Sequence, residues 1–528
     1  MFNSPSVRRS RDVHLTVADV TDRIVGRSRP SRRSYLDRLE RRLEQQQQEG
    51  SPRARAGCAN LAHGVAACGA AEKGLLAHRP EVPNVAIVSA YNDMLSAHQP
   101  LERYPALLKK EILRAGGVAQ FAGGVPAMCD GITQGRPGME LSLFSRDVVA
   151  LSTAVALAHE MFDAALLLGV CDKIVPGLVA GALSFGHLPC LFVPAGPMPS
   201  GVPNAQKAQV RERHAQGEVG PEALLESEMG AYHAPGTCTF YGTANTNQLV
   251  MEALGLHLPG ASFVPAGSAL RRALTEEAGR RIVALASPQA HAPVGRIVDE
   301  RAFVNAVVAV LATGGSTNHT MHLVSMAAAA GIQLTWQDFA ELSSVVPLLA
   351  RIYPNGSADI NEFQQAGGTA SLFAALLEVG LMHEDVLTVA GPGLARYCAR
   401  PELRDGSLAW GPAPAAGDID PTVLRGAPRP FARDGGIRVL SGSLGRGVVK
   451  VSAVPGEARV VQAPARVFED QQGFLDAFAR GELEGDLVIV VRFQGPRANG
   501  MPELHRLTPA LGVLQGRGQR VALLTDGR

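Results

Sequence analysis

Between about residue 82 and residue 405 the chain alternates short apolar runs with stretches of helical periodicity. The strand-like runs are residues 85–88, 164–170 and 188–193, and the helical patterns are residues 147–162 and 174–184. Strands that are apolar along their whole length and are joined by helices are typical of a parallel sheet covered on both faces. We therefore predict an α/β fold with three layers for this region.

The two ends of the chain differ from this region in their pattern of apolar and polar residues. Residues 1–16 are polar and basic, which predicts disorder, and residues 21–48 have the pattern of a charged surface helix followed by a loose linker. After about residue 405, Pro-rich and Gly-rich pieces precede short strand-like runs, which are residues 437–441, 447–454, 459–468, 486–493 and 520–524. Regular short strands with turn signals favour a barrel or sandwich.

These patterns predict three regions. Residues 1–60 form an N-terminal extension with a helical segment, residues 61–405 form the α/β domain, and residues 406–528 form a β-rich, barrel-like domain. A chain of 528 residues that is 46% hydrophobic is long enough for a large core and more than one domain.

Composition narrows the classes of function. Lys and Arg number 50 against 49 Asp and Glu, and aromatic residues make up 5%, which argues against a nucleic-acid partner. No apolar run reaches the roughly 18 residues of a membrane span, and residues 1–11 have no apolar signal-peptide core. We therefore expect a cytoplasmic protein with no membrane partner. Seven cysteines are too few for a disulfide scaffold at this length, so most should be buried thiols and a few metal ligands.

Reactive side chains cluster where predicted strands end. Cys171, Asp172 and Lys173 directly follow one strand, and in parallel sheets ligands bind at the carboxyl ends of strands. Cys238 lies in a turn rich in Gly, Thr and Asn, and Asp130 lies in an Asp-Gly turn. Thiolates suit iron–sulfur clusters and carboxylates suit Mg²⁺. Each segment also has a plain structural alternative, as a core thiol or as a turn held by side-chain-to-backbone hydrogen bonds.

Signatures of several other site classes are absent from the sequence. There is no CxxC pair, which disfavours a zinc ribbon or a ferredoxin. The segment GGSTNH at residues 314–319 lacks Walker A spacing, and no GxGxxG loop has the context of a dinucleotide site, which disfavours a nucleotide-dependent oxidoreductase. His319 and His322, spaced to share a helix face, are interpreted as structural.

Eight long motifs occur in one order along the chain. They are SAYNDMLSAHQP (89–100), GGVPAMCDGITQG (123–135), LGVCDKIVPG (168–177), HAPGTCTFYGTANTNQ (233–248), LATGGSTNHTMHL (311–323), YPNGSADIN (353–361), GPRANGMPELH (495–505) and TDGR (525–528). In these motifs the chain resembles the dihydroxy-acid and 6-phosphogluconate dehydratase family, from about residue 17 to its end. The first, second and fourth motifs favour the 6-phosphogluconate branch.

The resemblance implies an iron–sulfur cluster. Cys171 and Cys238 match the cysteines that bind the cluster. Some relatives have a further cluster cysteine in the segment that matches residues 91–98, and this chain has none there. That difference fits a four-iron, four-sulfur cluster with few protein ligands, which is the type we favour. Cys129 is a candidate substitute ligand. The other cysteines are interpreted as structural, and they are Cys58, Cys68, Cys190 and Cys398.

The resemblance also implies a divalent metal, Mg²⁺ or Mn²⁺. Asp130, Asp172 and Glu503 match its acidic ligands. Lys173 matches a lysine that is carbamylated in relatives, which turns a cation into an anionic oxygen ligand, and Lys173 and Glu503 are expected to take part in catalysis. In the family, a serine thought to act as the base follows TDGR within two residues. We therefore expect that base to lie beyond Arg528 and the β-rich domain to be incomplete.

The implied reaction is the dehydration of 6-phospho-D-gluconate to 2-dehydro-3-deoxy-6-phosphogluconate, a step of the Entner–Doudoroff pathway, by a homodimer. The metal would stabilise charge that develops at the carboxylate and the C2 hydroxyl, and a cluster iron would bind the leaving C3 hydroxyl. The phosphate needs cationic partners, for which Arg446 and Arg497 are candidates. Two alternatives remain open: a sibling dehydratase acting on an unphosphorylated sugar acid or a dihydroxy acid, and an inactive sugar-phosphate-binding protein.

Overall fold

The structure is a computed structural model that describes residues 12–414, 417 and 419–528. Most of the segment for which we predicted disorder, residues 1–11, lies outside the described residues. The helices are α1 (Leu15–Glu49), α2 (Cys58–Val65), α3 (Ala70–His78), α4 (Tyr104–Arg114), α5 (Asp130–Thr133), α6 (Ser142–Leu157), α7 (Ile174–Leu183), α8 (Asn204–Ala215), α9 (Pro221–Ala231), α10 (Thr243–Ala253), α11 (Ala269–Ala286), α12 (Val294–Ile297), α13 (Glu300–Thr313), α14 (Thr317–Ala329), α15 (Trp336–Val345), α16 (Ile360–Gln365), α17 (Gly368–Glu378), α18 (Gln471–Ala479), α19 (Pro496–Asn499) and α20 (Thr508–Gly516).

The strands are β1 (Asn84–Ser89), β2 (Val118–Gly124), β3 (Ala164–Leu168), β4 (Cys190–Val193), β5 (Leu387–Thr388), β6 (Gly391–Pro392), β7 (Ala399–Arg404), β8 (Ser407–Pro412), β9 (Arg438–Gly442), β10 (Gly445–Val449), β11 (Ala465–Phe468), β12 (Leu487–Val491) and β13 (Val521–Thr525).

The main sheet is parallel, as predicted, and has the strand order β2-β1-β3-β4. Every residue of β1, β3 and β4 is buried, which explains why these strands appear in the sequence as continuous apolar runs. Helices α4 and α11 pack together against the sheet, and α6 packs with α7 beside β1 and β2. The helix predicted over residues 147–162 is α6, which begins earlier, at Ser142. It also ends earlier, at Leu157, because the chain turns at Glu160, where φ is +53°.

The first helix corrects one expectation. The segment predicted as a surface helix and loose linker is a 35-residue helix whose apolar side belongs to the main hydrophobic core. Arg32 is buried and donates to the carbonyl oxygens of Ala330 and Gly295 at 2.9 and 3.0 Å, and the hydroxyl of Tyr35 donates to Leu183 at 2.9 Å. The many charges suggested an exposed element, but several of them satisfy carbonyl groups of the core instead.

The C-terminal region contains a second hydrophobic cluster, built from residues between Phe468 and Val521. Its sheet has the order β11-β12-β13 and is parallel. Two helices that the sequence analysis missed, α18 and α20, lie between these strands in the chain. The hairpin of β9 and β10 packs on the first core through Val439 and Val448. The barrel-like closure and the boundary at residue 406 stay predictions.

Two predicted strand runs in this region are shorter than expected. Residues 447–454 and 459–468 form β10 and β11 only in part, and the chain between them contains two short 3-10 turns. Pro455 and Pro464 explain the interruption, because proline has no N–H to donate to a strand ladder.

Two glycines determine how closely α6 and α7 approach. A Cβ added at Gly177 would lie 2.6 Å from the carbonyl oxygen of Arg146, and one added at Gly181 would lie 2.6 Å from the Cβ of Thr153. Both distances are too short for a side chain, so the helices touch through their backbones. Since α6 begins at Ser142 and α7 begins directly after Lys173, this contact also fixes the separation of two segments discussed below.

We predict that Gly181→Ala lowers the free energy of unfolding by about 1–3 kcal/mol, because the added methyl group overpacks the contact with α6. The matched control is Gly74→Ala in α3, where no atom lies within 4 Å of the added Cβ. That change should leave the stability unaltered or raise it by up to about 1 kcal/mol. Urea-induced unfolding of both variants measures the difference, and equal stabilities would contradict the proposed packing.

Candidate active site

Cys171, Asp172 and Lys173 form the turn between β3 and α7. Cys171 has φ of +73°, a conformation that is uncommon and strained for a residue with a side chain, and such outliers cluster at functional sites. The side-chain amide of Asn247 in α10 donates to the carbonyl oxygens of Cys171 and Asp172, both at 2.9 Å. A ring nitrogen of His319 lies 2.8 Å from the Oδ1 of Asn247. Buried polar groups of other elements therefore hold the turn in its strained shape.

The predicted metal ligands converge on this turn. One carboxylate oxygen from each of Asp130, Asp172 and Glu503 lies within 4.8 Å of the others. Asp130 begins α5, in the segment that follows β2, and Glu503 comes from the C-terminal region between α19 and α20. The Nζ of Lys173 is buried between the Oδ2 atoms of Asp130 and Asp172 and contacts both. Three acidic residues and one lysine from three distant segments thus form one cluster.

Arg528 completes this cluster and was not predicted as a site residue. Its guanidinium lies 2.7 Å from the Oε1 of Glu503 and 3.1 Å from the Oδ2 of Asp130, and its side chain is only 3% exposed. The strand β13 leads to it. Asn318 also donates to the Oε1 of Glu503 at 2.8 Å, and the hydroxyl of Ser142 donates to Asp130.

Different surroundings push the pKa values of two of these carboxyl groups apart. Burial raises the pKa of Glu503 to about 7, because the attraction of Arg528 does not offset it and the neighbouring carboxylates add repulsion. Burial also acts to raise the pKa of Asp172, but the charge of Lys173 outweighs it and holds that pKa well below its usual value. At neutral pH, Asp172 is ionised and Glu503 is partly protonated.

The acidic cluster fits a hard divalent cation. The Oδ1 of Asp172 is buried and has no hydrogen-bond partner among the described residues. The nearest ring nitrogen, Nε2 of His322, is 3.6 Å away, too far for a hydrogen bond. Three convergent carboxylates with a free buried lone pair are the oxygen donors that Mg²⁺ and Mn²⁺ prefer. Lys173 and Arg528 supply the positive charge in the present arrangement.

Cys238 reaches the same edge of the sheet from another direction. The loop that contains it is held to the segment after β1, where the N–H of Gly236 donates to Ser96 at 2.7 Å. It is also held to the segment after β4, where the N–H of Thr237 donates to Gly196 at 3.0 Å. Burial raises the pKa of the Cys171 thiol well above its usual value, and the nearby Cys129 and Cys238 raise it further. Both predicted cluster cysteines therefore lie at the carboxyl ends of the strands.

A buried lysine beside Cys238 indicates that negative charge belongs there. Lys207 in α8 is 5% exposed, and its Nζ lies 2.9 Å from the hydroxyl of Tyr232 and 4.2 Å from the centre of that ring. Among the described residues, no carboxylate lies within ion-pair distance of it, and the charge of Glu228 acts on it from further away, as does Cys238. A buried ammonium group is costly unless anions lie nearby. The thiols and this lysine together fit an anionic iron–sulfur cluster.

Two other candidates from the sequence lie outside the acidic cluster. Arg446 on β10 and Arg497 in α19 are both exposed, and neither is part of the acidic cluster. His319 and His322, interpreted as structural, lie against Asn247 and Asp172 at the site. The signal available for them was their position in the GGSTNHTMH stretch, one of the eight long motifs.

Comparison with known proteins places the chain in a family. The N-terminal model of the dihydroxy-acid/6-phosphogluconate dehydratase family matches residues 82–397, and its C-terminal model matches residues 422–528. The chain belongs to the dihydroxy-acid/6-phosphogluconate dehydratase family. Both parts of the acidic cluster lie within the matched residues, Asp130 to Lys173 in the first and Glu503 to Arg528 in the second.

Curated members of this dehydratase family are similar over most of their length. A phosphogluconate dehydratase from Pseudomonas aeruginosa is 62% identical over 517 residues, which cover 98% of this chain and 84% of the relative. The phosphogluconate dehydratase of Escherichia coli K12 is 57% identical, covering 96% and 84%. A dihydroxy-acid dehydratase from Ignicoccus hospitalis is 34% identical, covering 86% and 80%. Among the described helices, none has the length and apolar character needed to cross a membrane.

The environment of Lys207 predicts a pH-dependent stability in the metal-free protein. Burial, aided by Arg211, lowers the pKa of Lys207 from 10.5 to about 8. Between these two values the unfolded chain binds the proton that the folded chain has released, so this group makes stability rise with pH. We expect the free energy of unfolding of the wild type, relative to Lys207→Met, to increase by roughly 2–3 kcal/mol from pH 8 to pH 10.5.

Chemical denaturation of both proteins at several pH values tests this expectation. Between pH 6 and 7 the lysine is protonated in both states, so the difference between wild type and variant should be constant and serves as the internal control. A difference that stays flat up to pH 10.5 would show that Lys207 is not a strained buried cation.

Proposed function

We propose that the protein removes water from 6-phospho-D-gluconate to give 2-dehydro-3-deoxy-6-phospho-D-gluconate, as in the Entner–Doudoroff pathway. The observation that carries the proposal is the convergence of Asp130, Asp172, Lys173 and Glu503 at the sheet edge that also holds Cys171. The 6-phosphogluconate branch is favoured because identity to phosphogluconate dehydratases reaches 62%, against 34% to the dihydroxy-acid dehydratase.

The residues of this site divide between two cofactors. Asp130, Asp172 and Glu503 would hold Mg²⁺ or Mn²⁺, and Cys171 and Cys238 would hold an iron–sulfur cluster, for which we favour the four-iron, four-sulfur type. When bound, these groups supply Lewis acidity at the substrate carboxylate, the C2 hydroxyl and the departing C3 hydroxyl. Hard oxygen donors and soft thiolates are therefore both needed at one site.

Lys173 needs a chemical change before a divalent cation can bind beside it. Its ammonium now lies between Asp130 and Asp172, where it would repel the cation. Loss of one proton gives the free amine, and addition of CO₂ to its nitrogen with loss of a second proton gives a carbamate. This change replaces a positive charge by an anionic oxygen donor. A carbamate among three carboxylates is stable only with the cation present, so the two should bind cooperatively.

Glu503 is held in a fixed position at the site. Without a bound cation, burial raises the pKa of Glu503 to about 7, and a divalent cation would stabilise its carboxylate as a ligand. The amide of Asn318 and the guanidinium of Arg528 fix the position of the Oε1 of Glu503. We therefore assign Glu503 a part in catalysis as well as in metal binding, together with Lys173.

The deciding experiment is an anaerobic assay of the full-length protein loaded with iron, sulfide and Mg²⁺. We expect formation of a 2-oxo acid from 6-phosphogluconate, with kcat/KM at least about 100-fold higher than for gluconate, because each charge-assisted contact to the phosphate contributes roughly 1.5–3 kcal/mol. Asp172→Asn should lower kcat by at least about 10²-fold. Asp147→Asn is the control, since that side chain is 71% exposed on α6.

The other possible results identify the alternatives. A preference for gluconate or a dihydroxy acid would indicate a sibling dehydratase. Binding of 6-phosphogluconate without turnover by the iron-loaded protein would indicate an inactive sugar-phosphate-binding protein. Full activity of Asp172→Asn would remove the acidic cluster from the mechanism.

A helix face supports the homodimer that we also propose. A row of exposed apolar side chains begins just before α6 and runs along it, each residue 48–67% exposed: Leu141, Phe144, Val148, Leu151 and Val155. The spacing of three and four residues in alternation is that of a helix that packs against another helix. A second copy offers the same row, and the commonest soluble oligomers are two-fold dimers with self-complementary interfaces.

We predict that Leu151→Glu converts a dimer into a monomer, because it places a charge in the centre of the apolar row. Leu225→Glu is the matched control, since Leu225 is 60% exposed on α9, away from this face. Size-exclusion chromatography with light scattering gives the mass of each variant. A wild-type monomer, or a Leu151→Glu dimer as stable as the wild type, would contradict the assignment.

A further inference from the structure

A third cysteine lies at the same sheet edge as Cys171 and Cys238, and the function proposed above does not use it. Cys129 follows β2 and directly precedes Asp130, at the start of α5. The segment is anchored to the sheet by the N–H of Val125, which donates to the carbonyl oxygen of Ser89 at 2.9 Å. Because β1 and β2 are parallel, this contact places the start of the segment at the carboxyl end of both strands.

The contacts of Asp130, the next residue in the chain, show that Cys129 lies near the turn that contains Cys171. The carboxylate of Asp130 contacts the Nζ of Lys173, and Lys173 is two residues from Cys171. The backbone of Cys129 is fixed locally, because its carbonyl oxygen accepts from the N–H groups of Ile132 and Thr133 at 3.0 and 3.2 Å. The thiol is partly buried. Its position is therefore determined by the same residues that form the acidic cluster.

The three thiols are close enough to influence one another electrostatically. Burial is the main cause of the raised pKa values of Cys171 and Cys238, and in both cases Cys129 is the next largest. Cys129, Cys171 and Cys238 therefore share one neighbourhood at the carboxyl ends of the strands. Soft thiolate ligands gathered from three separate segments suit a metal-binding group.

We infer that Cys129 is a third thiolate ligand of the cluster, an inference that rests on the proposed function. A four-iron, four-sulfur cluster that is bound only by protein has four thiolates, one for each iron. With Cys129, Cys171 and Cys238 as ligands, one iron has no protein ligand. One open iron is what the departure of a single hydroxyl group requires, and two thiolates alone would leave two irons open.

The assignment also explains the order of residues 129 and 130. Cys129 would bind the soft cluster and Asp130 the hard cation, so that one turn of chain holds both cofactors at a fixed separation. Lys207 is close enough to Cys238 for its charge to favour the thiolate form of that residue.

The test compares Cys129→Ser, Cys129→Ala and the control Cys68→Ser, each in the full-length protein and reconstituted anaerobically with iron and sulfide. Cys68 is a partly exposed thiol that accepts from Gln120 at 3.3 Å, away from the site. The readouts are iron and sulfide per chain, the electron paramagnetic resonance spectrum of the reduced cluster, and the lifetime of the cluster absorbance in air. Circular dichroism and Mg²⁺ binding of the iron-free proteins report whether the fold and the acidic site survive.

We expect both Cys129 variants to fold and to bind Mg²⁺, but to lose the cluster at least about tenfold faster in air than the wild type. Cys129→Ser should also change the resonance spectrum, because an oxygen replaces a sulfur ligand. Cys68→Ser should behave as the wild type. The inference would be overturned if both Cys129 variants had the same resonance spectrum, the same iron content and the same cluster lifetime in air as the wild type.

The design separates this inference from the proposed function. A wild type that binds a cluster and dehydrates 6-phosphogluconate, with Cys129→Ala unchanged in all cluster readouts, overturns only the assignment of Cys129. A wild type that binds no cluster and gives no turnover overturns both.

Discussion

The buried ammonium group of Lys173 is the feature on which the rest of the site depends. A lysine side chain that is 1% exposed is stable only if carboxylates surround it, and Asp130 and Asp172 do so. Arg528 offsets part of their negative charge, and burial, with added repulsion from both carboxylates, raises the pKa of Glu503. The cluster is close to neutral at pH 7 without a metal, because Glu503 can keep its proton. Entry of a divalent cation therefore has to be coupled to the loss of positive charge and protons elsewhere in the cluster.

The main sheet brings these residues together from distant parts of the chain. Asp130 follows β2 and Asp172 follows β3, the two parallel strands on either side of β1, so both carboxylates lie at the carboxyl ends of the strands. Glu503 and Arg528 belong to the C-terminal region, which contains the second hydrophobic cluster and its own parallel sheet. The site therefore exists only where the two packing units meet, and docking of the C-terminal unit supplies a carboxylate and its counter-charge at once. Any loss of that docking would leave Asp130 and Asp172 with Lys173 alone.

The sequence predicted the parts of the structure that depend on local pattern. The continuous apolar runs at β1, β3 and β4 have few interpretations other than fully buried parallel strands, and their ends were predicted to within two residues. The convergence of Asp130, Asp172, Lys173 and Glu503 was accessible only through the long motifs, because no spacing along the chain connects residue 172 with residue 503. Arg528 was missed because a guanidinium among carboxylates depends on tertiary position alone. The packing of α1 was missed for a similar reason: its buried arginine binds carbonyl groups that no local pattern reveals.

The backbone at Cys171 has a consequence for how this chain tolerates change. A left-handed conformation costs a residue with a Cβ roughly 1–2 kcal/mol, and glycine would adopt it freely. The hydrogen bonds from Asn247 compensate for that cost in the folded protein. Selection for stability alone would thus favour glycine at position 171, and selection for a thiol at the end of β3 opposes it. Screens that select only for soluble expression should therefore enrich Cys171→Gly, which removes the sulfur atom. A variant of this protein with higher thermal stability is then not, on that evidence alone, an active enzyme.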